Sequence, residues 1–147
     1  MSVEQPKVSI IIPAYFSGKT IEASLQSFCH QDYENYEVIV VDSSHEGITE
    51  ELVRKKFPQV RIHHPSGRLL PHAARNVGVT YAKGELFIFT DPDIYAPPNW
   101  IRLLVNGFEN MEELLLVRYP ITGTDGSKWE CICASLMAGF LVERYGP

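Results

Sequence analysis

Leu86-Phe87-Ile88-Phe89-Thr90-Asp91-Pro92-Asp93 carries an unbroken apolar run straight into two carboxylates. A strand without polar alternation is covered on both faces, as in parallel sheets packed between helices. Carboxylates at the mouth of such a strand are costly to leave unpaired. If the strand continues, residues i and i+2 point the same way, so Asp91 and Asp93 would share one side. Pro92 helps turn the chain there, since its ring fixes φ and removes a donor. Two readings stand: a polar turn after a strand, or an anionic pocket for a hard divalent cation. Such a cation takes oxygen ligands and often sits on one or two carboxylates plus substrate phosphates.

Outward from this stretch, strand and helix patterns alternate. Val8-Ser9-Ile10-Ile11-Ile12 is a β-branched run ended by Pro13. Ser17 is placed to cap a helix over about 19–30, with Ile21, Leu25 and Phe28 inward. A strand over 36–41 ends at Asp42. A helix over about 48–57 turns Ile48, Leu52 and Val53 inward and stops at Pro58. A short strand over 60–63 follows. The next helix starts near Pro71, a good first-turn residue, and is closed by Gly84. After the strand 85–90 comes a helix over about 98–111, with Ile101, Leu104, Val105 and Phe108 inward. A fifth strand is expected over 114–118 and a last helix over about 127–145. Strands separated by helices imply βαβ units and a parallel sheet.

The 147 residues are 45% hydrophobic and 11% aromatic, one domain's worth of sequence with enough apolar material for a core. The net charge of −5 comes with no basic cluster, which argues against a nucleic-acid partner. Cys29, Cys131 and Cys133 form no even framework and read as reduced thiols of a cytoplasmic protein. No signal peptide is read in the polar residues 1–7. The charge-free stretch 131–142 is too short to span a bilayer.

Ligands of open parallel sheets bind beyond the carboxyl ends of the strands. That rule selects Pro13-Ala14-Tyr15, Asp42-Ser43-Ser44, His63 to Gly67, and Asp91-Pro92-Asp93. With strand order 3-2-1-4, Asp42 and Asp91 would flank the end of the first strand, with Tyr15 between them. Each position suits a nucleoside diphosphate. Asp42 can accept from a base imide or a ribose hydroxyl, and Tyr15 offers a flat face for a base. Asp91 can hold ribose or metal, Asp93 a metal bridging two phosphates, and Arg75 a phosphate or a carboxylate. Taken singly, each also reads as ordinary surface: a rim aromatic, a cap, an exposed ion pair.

The ordered segments Val8 to Tyr15, Tyr36 to Ser44, Ala74-Arg75-Asn76-Val77-Gly78 and Gly84 to Asp93 resemble the nucleotide-sugar half of family 2 glycosyltransferases. The resemblance covers about residues 7–105. It implies an α/β fold of the GT-A (Rossmann-like) type, three layers deep, with a mostly parallel sheet. It implies an inverting transfer of sugar from a nucleotide-diphosphate sugar, commonly a UDP-sugar, to an acceptor hydroxyl. Pro13, Ala14, Tyr15, Asp42, Ser44, Arg75, Asn76 and Asp91 would form the nucleotide-sugar site. Asp93, with Asp91, would carry Mn²⁺ or Mg²⁺.

One part of that family's pattern is missing. Its catalytic base lies well downstream, usually as the Asp of a Glu-Asp pair, and after Asp93 no acidic residue stands in such a context. The downstream Gln-x-x-Arg-Trp of processive members is missing too. The expectation is therefore a truncated single domain: 7–95 binds the nucleotide sugar, 96–147 begins an acceptor part, and the base lies beyond Pro147. A non-catalytic binding module or split-protein subunit is the alternative. The acceptor would be a sugar or lipid-linked group. An apolar face on the helix expected over 129–142 would meet a second copy or missing sequence. A peripheral place at the inner face of a membrane is open to such a protein, though nothing in these residues encodes it.

Overall fold

A computed structural model describes the backbone of residues 7–109, 116–122, 128–134 and 139–144, and the side chains of residues 7–107. Strands β1 (Val8–Ala14), β2 (Tyr36–Asp42), β3 (Arg61–His63) and β4 (Leu86–Phe89) are parallel and lie in the order β3-β2-β1-β4, as expected. Helices α1 (Ile21–Phe28), α2 (Ile48–Lys56) and α3 (Pro71–Tyr81) connect them, and α4 (Trp100–Glu109) follows β4.

The period-2 alternation of the strands sorts the core into two layers. Val8, Ile10 and Ile12 of β1, Val38 and Val40 of β2, and Leu86 and Ile88 of β4 belong to one large cluster. It includes Ile21, Leu25 and Phe28 of α1, Val53 of α2, and Trp100 and Ile101 of α4. The alternate residues face α3: Ile11 and Phe87 pack with Val79, and Ile39 and Val41 with Ala74 and Val77. Gly78 sets how closely α3 approaches. A Cβ there would lie 2.4 Å from Cγ2 of Ile11 and 3.4 Å from Cγ2 of Val41.

A polar network ties the strands together at the edge away from their carboxyl ends. Glu37 accepts from the Ser9 hydroxyl at 2.7 Å, the Lys83 N–H at 2.6 Å and the Arg61 guanidinium at 2.8 Å. Burial alone would raise the Glu37 carboxyl, but these three donors together hold it below the ordinary glutamate range. Gly84 does not close α3, whose cap residue is Ala82. Its N–H donates to the Ser9 hydroxyl at 2.9 Å, and a Cβ would stand 2.7 Å from the Ser9 nitrogen. Glycine is there because β1 passes too close for a side chain.

Two further expectations change. Ile48 is 53% exposed, and Thr49 takes the buried place at the start of α2. Ser17 makes no side-chain cap, because α1 begins after Thr20. The main carbonyl of Ser17 instead accepts from the Thr20 and Ile21 N–H groups, each at 3.0 Å.

The largest correction concerns the end of the chain. The helix expected over 127–145 is two strands, β6 (Lys128–Ala134) and β7 (Gly139–Arg144), and the fifth strand, β5, is Leu116–Thr122. All three are antiparallel to their neighbours, giving the sheet order β3-β2-β1-β4-β7-β6-β5. Both β6 and β7 have a strand on either side, and the apolar run over 131–142 is one that periodicity alone cannot tell from a buried helix. The helical apolar face expected over 129–142, and the dimer or missing-region contact built on it, lapse with that helix. Glu112, Glu113 and Asp125, and the side chains of Phe108, Cys131 and Cys133, lie outside the described residues.

Candidate functional site

A cleft of about 260 Å³ opens at the carboxyl ends of the parallel strands. Pro13, Ala14 and Tyr15 form one wall, where β1 ends. Arg68 to Pro71 and Ala74, from the loop before α3 and its first turn, form another, and Asp91 and Pro92 close it beyond β4. Of the residues expected at a site, Pro13, Ala14, Tyr15 and Asp91 line this cleft together. Asp42, Ser44, Arg75, Asn76 and Asp93 do not.

Asp42 lies in register opposite Ala14 and is fully buried. Its Oδ1 accepts from the Ser44 N–H at 3.1 Å and the Ser44 hydroxyl at 2.6 Å. Its Oδ2 is buried with no hydrogen-bond partner. A buried carboxylate oxygen left bare is costly, so this atom is an acceptor awaiting a donor. Arg75 reaches the cleft through Asp91: its Nη2 donates to Asp91 Oδ1 at 2.7 Å, while its own Nε is buried without a partner. Asn76 is exposed on α3.

Tyr15 is 39% exposed and held on several sides. Its N–H donates to the Ser17 hydroxyl at 3.2 Å. The Phe16 ring meets it edge-on at 4.5 Å and in turn meets His45 at 5.0 Å. Phe16 has φ 51, a left-handed conformation that costs a bulky residue energy and commonly marks functional loops. The Arg68 guanidinium lies 4.6 Å from the Tyr15 ring centroid, over one face of the ring.

The geometry of the acidic pair differs from expectation. β4 stops at Phe89, and Pro92-Asp93 is a turn, so strand alternation does not extend to Asp93. Asp91 is half-buried in the cleft wall, and Asp93 stands exposed at the turn. Among the described residues no three or more His, Cys, Asp or Glu side chains gather into a metal-holding group. A hard cation held here would take Asp91 and Asp93 as its carboxylates and would need its remaining oxygen ligands from elsewhere.

Sequence reasoning missed Arg68, and it read Ser17 only as a helix cap. The strand-end rule had selected His63 to Gly67, one residue short of Arg68. Ser43, within the Asp42-Ser43-Ser44 strand end that the same rule selected, does join the cleft wall, its N–H donating to the Ala14 carbonyl at 3.0 Å. No helix among the described residues is long and apolar enough to cross a membrane.

Comparison with known proteins places this geometry. The sequence profile described as Glycosyl transferase family 2 matches residues 9–144. The chain is 35% identical over 128 residues to an Aeromonas hydrophila undecaprenyl-phosphate 4-deoxy-4-formamido-L-arabinose transferase, covering 80% of this chain and 36% of that protein. It resembles the structure of S. aureus TarS 1-349 in complex with UDP-GlcNAc at 29% identity, with a TM-score of 0.64 over 71% of this chain and 31% of that one. It also resembles the mannosyltransferase PcManGT from Pyrobaculum calidifontis in complex with GDP-Man and Mn²⁺, at 28% identity and a TM-score of 0.62, over 76% of this chain and 34% of that one. The chain spans about a third of the length of each of these proteins.

Proposed function

The chain belongs to glycosyl transferase family 2, and on that footing we propose that it binds a nucleoside-diphosphate sugar, a UDP-sugar by preference, for inverting transfer to an acceptor hydroxyl. The observation that carries this reading is the meeting of Tyr15 and Asp91 in one cleft at the strand ends, with Asp42, whose buried Oδ2 is bare, in register opposite the cleft residue Ala14. An imide N–H of uracil is a donor suited to that oxygen. The Tyr15 ring gives the base a face, and Arg68, already over that ring, gives the cleft a cation to set against the diphosphate.

The donor set of the Asp91-Pro92-Asp93 turn suits Mn²⁺ or Mg²⁺, with Asp93 and Asp91 as its protein ligands. When bound, such an ion supplies Lewis-acid stabilisation of the charge on the departing nucleoside diphosphate. Arg75 orients the Asp91 carboxylate from the α3 side. Ser44 saturates Oδ1 of Asp42 and leaves Oδ2 as its open acceptor.

On the same reading, residues 7–95 are the nucleotide-sugar-binding part and an acceptor part begins at 96. We assign the base that takes the acceptor proton to none of the described residues. The acceptor is a sugar or a lipid-linked group, the latter supported by the undecaprenyl-phosphate named for the A. hydrophila relative. The proposed setting is the cytoplasm, at or near a membrane surface.

Calorimetry with UDP, GDP, dTDP and CDP, with and without Mn²⁺, tests the proposal. UDP should bind tightest, and more tightly with Mn²⁺ than without; a chain that binds none of the four in the presence of Mn²⁺ is not a donor-binding domain.

A further inference from the structure

The Asp91-Pro92-Asp93 turn belongs to an irregular stretch, 90–99, between β4 and α4. Irregular backbone keeps a defined shape only where other groups satisfy it. One flank is held by Arg75 on Asp91. The other is held by α1, a helix distant in sequence.

Ser24 and Ser27 lie one turn apart on α1, both buried among Ile21, Leu25 and Phe28. Serine is a poor choice for the interior of an apolar helix face, where its hydroxyl usually bonds back to its own helix. Ser27 does so in part, donating to the Ser24 carbonyl at 2.8 Å, and also accepts from the Ala96 N–H at 3.0 Å. The Ser24 hydroxyl donates instead across 68 residues to the Pro92 carbonyl at 2.8 Å. Gln31, just past α1, extends the seam: its Nε2 donates to the Pro97 carbonyl at 2.9 Å and its Oε1 accepts from the Ile101 N–H at 3.1 Å. Ser24 therefore grips the peptide between the two carboxylates, while Ser27 and Gln31 fasten the chain beyond them.

We propose that Ser24 is a positioning residue for the donor site, its hydroxyl clamping the Pro92 carbonyl so that Asp91 and Asp93 are preset for a divalent cation. The inference rests on the reading of the cleft given above. Ser24 touches neither cation nor nucleotide; it acts through the turn. A preset turn spares the cation the entropy of ordering its ligands.

The test uses the 147-residue chain, UDP and MnCl₂. Calorimetry gives the Mn²⁺ concentration for half-maximal UDP binding, and amide exchange gives the protection of Asp93 and Ile94. In Ser24→Ala the Mn²⁺ requirement should rise roughly fivefold, the size of one hydrogen bond's net contribution. Metal-free UDP binding should stay at the parent level, and exchange at Asp93 and Ile94 should quicken by a similar factor. Ser24→Thr, which keeps the hydroxyl, should restore both. Ser24→Cys, of similar size but a weak donor, reports the same loss if alanine disturbs the fold. An unchanged Mn²⁺ requirement in a metal-dependent parent overturns the proposal, as does an equal fall in metal-free binding. If the parent shows no Mn²⁺ dependence, the donor-site reading is what fails, and unchanged exchange at Asp93 and Ile94 in Ser24→Ala then removes the clamp as well.

Discussion

Replacing Gly78 by alanine adds a single methyl group, and the structure says where it lands. The new Cβ stands 2.4 Å from Cγ2 of Ile11, whereas ordinary contact begins near 3.4 Å. One partner must retreat by about 1 Å. Ile11 cannot do so cheaply, because it is fully buried at the centre of the sheet and β-branched side chains are stiff at χ1. The strain therefore falls on α3. Overpacking of this kind costs about 1–3 kcal/mol, while alanine regains about 0.8–1.0 kcal/mol of helix propensity over glycine. The net expectation is a loss of about 1 kcal/mol. Equilibrium urea unfolding of the parent, Gly78→Ala, Ile11→Ala and the double variant measures it. Ile11→Ala alone should cost about 2–5 kcal/mol through its cavity. The double variant should fall short of the summed losses by about 1–2 kcal/mol, because Ile11→Ala removes the atom that the new methyl strikes. A Gly78→Ala variant as stable as the parent, or an additive cycle, would refute the close approach of α3. Since α3 also carries Ala74 and Arg75, Gly78→Ala should weaken UDP binding alongside stability.

Other outcomes follow from the same geometry. Asp93→Ala should abolish the Mn²⁺ dependence of UDP binding, as titration calorimetry would show, and unchanged dependence removes Asp93 from the metal site. Asp42→Ala should blur the preference among UDP, CDP and GDP while leaving Mn²⁺ dependence in place; an undiminished preference for UDP means that Asp42 does not read the base. The Glu37 carboxyl is held below its unfolded value, so its contribution is complete above that value and fades as pH falls through the lowered one. Urea midpoints measured from pH 7 to pH 3 should therefore drop in acid. Glu37→Gln should lose about 1–3 kcal/mol at pH 7, typical of a charged hydrogen-bonded group, and show a flatter acid limb; equal acid slopes would place the pH dependence elsewhere. Burial, with Arg61 and Arg54 nearby, pushes the His63 ring below the ordinary histidine value. Protons binding below that ordinary value thus favour the unfolded chain, and an NMR titration placing His63 at or above it would contradict the burial of this ring, which stacks on Tyr81 at 3.6 Å.

The parallel half was legible because each local signal agreed with the fold. β-branched runs gave β1 and β2, Pro71 opened α3, and the strand-end rule picked out Tyr15 and Asp91. Legibility failed where one pattern served two structures. The apolar letters of 131–142 fit a buried helix as well as the two interior strands β6 and β7. Ile48 looks inward by spacing, yet α2 turns it outward because Thr49 and Val53 take the buried positions. Gly84 reads as a helix stop, but the reason for it is the backbone of β1, nothing local. Arg68 over Tyr15 and Ser24 on Pro92 join segments tens of residues apart, and no spacing rule reports such pairs.

The antiparallel pairing of β4 with β7 also sets an order of events during synthesis. Leu86–Phe89 has β1 on one side from early on, but its other side waits for Gly139–Arg144, more than fifty residues later on the ribosome. Through that interval a nearly wholly apolar strand has an open row of amide and carbonyl groups, the kind of edge that recruits foreign strands. Nascent chains halted before Gly139 should aggregate or hold a chaperone, and chains released after Arg144 should not.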